Sequence, residues 1–355
     1  MRMTGGWLAL CLAWAGIGGK LPAQDFAGEI RNFPCLHTLV TLHIPSASGS
    51  AKPPNELADL AEQAIRRADR LLGPNGGESD VRRLNQAQPG EWVEVDPLTM
   101  EVVGEALKWH RLTDGVFDPT IGPIKSLFRF EGGELSAWPS GEELAAAKSR
   151  VGADKLRVDA KANRLAFSAA GMALDLGGIA KGFAADLAAA ALAEQGVKNA
   201  LINAGGEIRA LGINPASTPP GPWRIGLIDP GGGEIRYLAE MEDRAAATSG
   251  NYRSYFTHGG RRYSHIIDPR TGLPGSDRPV GVTVSLAGSG AAADALATVF
   301  GILSREEAEA FIRRHAGGEF SQGLDVVTLS EPPDGNPEAA HMAVRPGGTV
   351  TINRP

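Results

Sequence analysis

An eight-residue run, Asp175-Leu176-Gly177-Gly178-Ile179-Ala180-Lys181-Gly182, constrains this chain more than any other, because three glycines, an acid and a lysine stand directly before the alanine-rich segment Phe183 to Gln195. Glycines let main-chain groups approach a ligand or each other closely, and alanine is the strongest helix former. The segment reads as a tight turn opening a helix, whose N-terminus favours anions and whose lysine adds a mobile positive charge. Two readings fit it: a phosphate cradle, or a plain strand-to-helix turn with a solvated lysine. Its spacing matches neither Gly-x-x-x-x-Gly-Lys-Ser/Thr nor Gly-x-Gly-x-x-Gly, which removes the two common nucleotide loops.

Around this turn, 355 residues with 43% hydrophobic content can bury a large core, as one domain or two closely joined subdomains. A net charge of -6 argues against nucleic acid as a partner, since that needs a basic face. Arg2, the apolar stretch Trp7 to Ile17 and the small-residue sites Ala13-Trp14-Ala15 and Leu21-Pro22-Ala23 make residues 1 to 23 a secretory signal, or else an uncleaved N-terminal anchor. Cys11 would leave with a cleaved signal. Cys35 then has no intramolecular partner and is expected to be a small buried residue.

Short β-branched or alternating runs predict strands at residues 37 to 44, 199 to 203, 208 to 211, 223 to 228 and 281 to 286, with a hairpin over 155 to 167. Helical spacing of apolar residues predicts a helix over 55 to 72, and further helices are expected over 100 to 112, 291 to 303 and 305 to 315. Residues 73 to 78 read as a loop and 131 to 141 as an exposed excursion. The proline- and glycine-rich stretch 331 to 355 reads as irregular. Because strands and helices are not in regular βαβ alternation, the expected class is α+β.

Chemistry-bearing residues lie in further segments. His265 stands where a strand ends in Asp268-Pro269-Arg270-Thr271-Gly272, and is either a general base or a structural histidine. Asp294 and Thr298 are four apart in an apolar helix, so they project from one face as two hard oxygen ligands; otherwise Asp294 is a first-turn acid and Thr298 a hydroxyl bonded to its own helix. Val116-Phe117-Asp118 sets an aromatic beside an acid in a turn. Ala246 to Asn251 reads as a hydroxyl-bearing turn near a strand end.

Six segments in one order resemble the ApbE family of FAD:protein FMN transferases: Thr113 to Asp118, Asp175 to Gly182, Asn203-Ala204-Gly205-Gly206-Glu207-Ile208, Ala247-Thr248-Ser249-Gly250, Ser264 to Gly272, and Asp294-Ala295-Leu296-Ala297-Thr298. The resemblance covers residues 30 to 330. It implies that FMN passes from FAD to a Ser/Thr hydroxyl of a target protein with release of AMP. It further implies that Asp294, Thr298 and the carbonyl of Gly178 hold Mg²⁺, and that Asp175 and Lys181 contact FAD. Leu36, Val116, Phe117, Asp118 and Ile267 would line the flavin pocket, and His265 would take the acceptor proton. The implied partner is a Ser/Thr-containing acceptor domain of a membrane or periplasmic redox protein, met outside the cytoplasm. An FAD pyrophosphatase and a non-catalytic flavin binder are the competing functions. Departures from the family pattern fall at Leu36-His37-Thr38, where Met-Gly-Thr is usual, and at Glu207 and Asn251, where Asp is frequent. A further departure is the loop 73 to 78, which lacks an aromatic that many relatives carry.

Overall fold

The computed structural model describes residues 27–74, 77, 79–128, 138–228, 235–250, 255–258, 261–275, 281–330, 338–345 and 349–353. The expected segment 1 to 23 and most of 131 to 141 lie outside these residues, as do positions 75, 76 and 78 of the expected loop.

A nine-stranded sheet organises the chain, formed by β1 (Gly28–Cys35), β2 (Thr38–Pro45), β3 (Ala200–Ala204), β4 (Ile208–Leu211), β5 (Arg244–Gly250), β6 (Gly281–Ala287), β7 (Leu324–Ser330), β8 (Glu338–Arg345) and β9 (Thr349–Asn353). Strand order in the sheet follows chain order, and every neighbouring pair is antiparallel. The described helices are insertions into this meander: α1 (Pro54–Leu72), α2 (Pro97–Leu112), α3 (Ala180–Glu194) and three shorter ones leave it between β2 and β3, and α4 (Gly290–Ile302) and α5 (Arg305–His315) between β6 and β7. The class is α+β, as the sequence indicates.

Period-two alternation decides which face each strand residue covers. In β3, Ala200, Ile202 and Ala204 join the main core under α1, α3 and α4, whereas Leu201 points to a second core with Ile208, Ala210, Trp223, Ile225 and Met241. α1 begins with Pro54 in its first turn and buries Leu57, Ala61, Ile65, Ala68 and Leu72 at spacings of three and four. A third cluster of Ile124, Phe128, Phe256 and Ile267 lies apart from both.

The C-terminal stretch corrects the expectation of an irregular segment. Residues 338–345 and 349–353 are the last two strands of the main sheet, the second of them at its edge, and Met342, Ala343 and Val344 are buried. Prolines 332, 333, 337 and 346 stand outside the two strands, so the breakers that dominate the composition fall between the elements. The expected turn at Ala246 to Asn251 is corrected likewise: Ala246 to Gly250 lie within β5, where Thr248 and Thr283 meet side by side with their hydroxyls 3.0 Å apart. Asn251 lies outside the described residues. The expected hairpin over 155 to 167 forms as Leu156–Asp159 against Arg164–Phe167.

Candidate active site

The glycine turn is fixed from two sides before it reaches α3. Asn85 clamps the main chain of Leu174, donating to its carbonyl (3.0 Å) and accepting from its N–H (2.7 Å), and the Asp175 N–H donates to the carbonyl of Pro119 (2.8 Å). The loop that contributes Pro119 carries Val116, Phe117 and Asp118, all buried. Its shape comes from Thr113, whose hydroxyl accepts from Phe117 N–H (3.0 Å), and from Asp118, whose Oδ1 accepts from the Thr120 N–H (2.8 Å) and hydroxyl (2.6 Å). Asp118 is thus committed to its own turn, with His110 Nδ1 3.6 Å from its other oxygen.

Gly178 sits where a side chain would be crowded. A Cβ at Gly178 would stand 3.0 Å from Thr298 Oγ1 and 3.2 Å from Cε2 of Phe117. Turn, loop and α4 therefore converge on one point. Within α4 every residue is buried except Thr298. Asp294, one turn earlier, is 4% exposed and accepts from the Gly182 N–H at 3.1 Å. It lies beyond the first turn of α4, so the first-turn reading of this acid does not hold. Its carboxylate instead serves the N-terminal turn of α3, whose N-cap residue Ile179 has no side-chain cap bond.

The exchange is mutual. Asp186 of α3 accepts from the N–H groups of Gly290 (2.7 Å) and Ala291 (2.9 Å) at the start of α4. A Cβ on Gly182 would overlap the carbonyl of Gly290. Burial pushes the Asp186 carboxyl above the usual carboxylate range, against the pull of these N–H groups and of Arg209 2.9 Å away.

Lys181 lies between two carboxylates, 3.1 Å from Glu207 Oε1 and 3.8 Å from Asp294 Oδ2. Burial opposes its charge, but Asp294 and Glu207 outweigh that cost and hold the ammonium above the usual lysine range. Burial pushes Glu207 up to about 7, with Lys181 opposing and Asp294 reinforcing the shift. Glu207 belongs to the turn that joins β3 and β4, beside the hairpin tip Leu36-His37, because Thr38 packs against Gly205. Asp175 pairs with Lys125 at 2.7 Å and accepts from the Gly177 N–H at 2.9 Å.

His265 follows the strand Arg261–Ser264, and its turn is tied down by Arg270, which bonds Asp268 (2.9 Å) and Glu307 (2.7 Å). Ile266, the next residue, reaches the C-terminal end of α4, where it would meet a Cβ on Gly301 at 3.1 Å. Ile267 is buried in the third cluster.

Across residues 36–320 the sequence matches the model of the ApbE family. The chain belongs to the ApbE family. It is 37% identical over 273 residues to the FAD:protein FMN transferase of Vibrio cholerae serotype O1, covering 76% of this chain and 78% of that one. With the Haemophilus influenzae FAD:protein FMN transferase it shares 34% identity, over 65% of this chain and 68% of the other. Its fold is similar to that of the flavin transferase ApbE from Vibrio cholerae, with a TM-score of 0.74 and 30% identity over 88% of this chain and 96% of that structure. The Thermotoga maritima ApbE protein gives 0.73 at 29% identity, over 92% and 97%.

The ApbE motifs at Thr113 to Asp118, Asp175 to Gly182 and Asp294 to Thr298 come together in space, although the first and last are separated by more than 170 residues. Among the described residues no group of three or more His, Cys, Asp or Glu side chains is spaced to hold a metal. The gap that Gly178 leaves beside Thr298, and the hard oxygens of Thr298, Asp294 and the main chain, fit a small hard cation that takes its other oxygens from substrate and water. Asn85, Lys125 and Asp186 are site residues that the sequence reading missed, and Glu207 entered it only as a departure from the family pattern. For Asp186 a signal existed: Gly182 and Asp186 repeat the spacing of Gly290 and Asp294.

Proposed function

We propose that this ApbE protein transfers FMN from FAD to a Ser/Thr hydroxyl of an acceptor protein in a Mg²⁺-dependent reaction that releases AMP. One observation carries the reading: a helix buried at every other position leaves Thr298 accessible, one turn from a buried Asp294, and turns it toward Gly178 of the glycine loop. Asp294, Thr298 and the Gly178 carbonyl would hold the cation, and Asp175, Lys181, Val116 to Asp118, Leu36 and Ile267 would hold FAD. Mg²⁺ held there would supply neutralising charge for the pyrophosphate and the leaving AMP. The acceptor oxygen bonds to the FMN phosphorus, the bond from that phosphorus to the bridging oxygen breaks, and His265 takes the hydroxyl proton. Positioning by rigid elements supplies most of the rate, since phosphoryl transfer asks little covalent chemistry of the protein. The acceptor fits a membrane or periplasmic redox protein met outside the cytoplasm, in keeping with the signal-like residues 1 to 23.

Incubation with FAD, Mg²⁺ and a candidate acceptor domain tests this, with AMP release and acceptor mass as readouts. An acceptor gaining one FMN per AMP is expected. AMP without modified acceptor would mean hydrolysis, and bound FAD without AMP a binding protein. His265→Ala is expected to retain FAD and lose turnover; full activity would remove His265 from the mechanism.

A further inference from the structure

Lys181 is a potential rival for the proposed cation. Its ammonium is already 3.8 Å from Asp294 Oδ2, and the adjacent Gly182 N–H is bonded to that same oxygen, so the side chain needs only a small swing to close on it. A lysine ammonium is a compact charge on a flexible stem and neutralises whichever carboxylate it reaches. In this protein it goes to Glu207, with Oε1 at 3.1 Å. Glu207 is 5% exposed, and its second oxygen is buried without a hydrogen-bond partner among the described residues. The glycine pair before it, with φ of 78° at Gly205 and 117° at Gly206, delivers the carboxylate to this place.

We propose that Glu207 is a positioning residue that draws the Lys181 ammonium off Asp294 and so keeps the Asp294 carboxylate open to a divalent cation. The inference rests on the reading of Asp294, Thr298 and Gly178 as the cation site. Glu207 touches neither cation nor phosphate in this account; it acts through Lys181. With Glu207 ionised, two carboxylates and one ammonium leave a net negative charge that attracts a divalent cation, whereas loss of Glu207 leaves Lys181 and Asp294 to neutralise each other.

Mn²⁺ binding to the full chain without FAD, followed by the electron paramagnetic resonance of free Mn²⁺, separates the possibilities. Glu207→Gln is expected to weaken Mn²⁺ binding about tenfold, the scale of one close charge contact in a partly buried site. Adding Lys181→Met to that variant should restore affinity to within about twofold of wild type, since the competing ammonium is gone. A purely structural Glu207 would not be rescued this way. Unchanged affinity in Glu207→Gln, or a double variant as weak as the single one, overturns the inference and leaves the cation site standing. Failure of the wild-type chain to bind Mn²⁺ overturns both. Should Glu207→Gln not fold, Lys181→Met alone decides: affinity equal to or tighter than wild type is expected, and weaker binding refutes the idea.

Discussion

Asp186 and Asp294 each accept hydrogen bonds from the N-terminal turn of the helix that carries the other: Asp186 from Gly290 and Ala291, Asp294 from Gly182. Each acid stands four residues after the glycine that donates to its counterpart, and those two glycines let the helix ends touch. The two helices are therefore located by one shared polar lock. Through it, residues of α3 set where Asp294 and Thr298 stand.

Removing Asp186 opens that lock. Asp186→Ala leaves two main-chain donors of α4 and the half-buried Arg209 without their acceptor, an expected loss of about 2–4 kcal/mol by urea unfolding. A loss under about 1 kcal/mol would show that the lock is not needed to hold the helices.

Glycine 182 tolerates no side chain. Gly182→Ala drives its Cβ into the Gly290 carbonyl, main chain that cannot rotate away, and should cost about 3 kcal/mol or more despite alanine's better helix propensity. Thermal unfolding beside Gly104→Ala, where nothing lies within 4 Å of the new Cβ, checks this: only Gly182→Ala should fall.

Lys125 holds Asp175 at 2.7 Å across the outer side of the glycine turn, in a half-exposed pair. Exposed pairs are worth about 1 kcal/mol or less, so Lys125→Ala should weaken FAD binding two- to fivefold with little change in turnover. Equilibrium titration of FAD fluorescence measures it, and unchanged binding would separate the Lys125–Asp175 pair from substrate.

The hairpin tip Leu36-His37 has both residues at positive φ, 54° and 56°, the geometry of a two-residue turn that favours glycine in its second position. His37→Gly, which restores the usual family residue, should stabilise the protein by about 0.5–1 kcal/mol by removing left-handed strain from a side chain. Chemical denaturation showing destabilisation instead would mean that the exposed imidazole makes a compensating contact.

His315 packs against Phe311 with ring centroids 4.6 Å apart and planes tilted by 49°, and its Nε2 is buried without a hydrogen-bond partner among the described residues. Burial first, then Arg314, depresses its protonation below the ordinary value of 6.5, and burial does the same to His43. The folded chain thus binds fewer protons than the unfolded chain below about pH 6.5, and stability falls as pH drops through that range. Unfolding temperatures at pH 7.5 and 5.5 should differ in that direction, with a smaller difference in His315→Phe; an equal difference in both proteins would exclude His315 as a source.

How much of this was legible in residue order varies from element to element. α1 could be read directly because its apolar residues recur at the helical period, and α4 and the strand Ala200–Ala204 because each is an apolar run bounded by turn residues. β8 and β9 were hidden, since the prolines and glycines that flank these short strands dominate the composition of the segment. Asp294 and Thr298 were legible as a pair, their spacing being fixed by one helix turn, and their convergence with Gly178 was implied only through family resemblance.

Residue order alone settled the five longest helices, four strands of the main sheet (β2, β3, β4 and β6), the glycine turn, and the family, because each rests on patterns within a few neighbouring residues or on motifs in a fixed succession. Tertiary structure decided which charges meet: Lys125 with Asp175, Lys181 with Glu207, and the crossed bonds of Asp186 and Asp294. Periodicity and turn chemistry are local properties, whereas the partner of a buried charge is chosen by packing between segments up to about a hundred residues apart, which desolvates both groups and leaves each the neighbour that neutralises it.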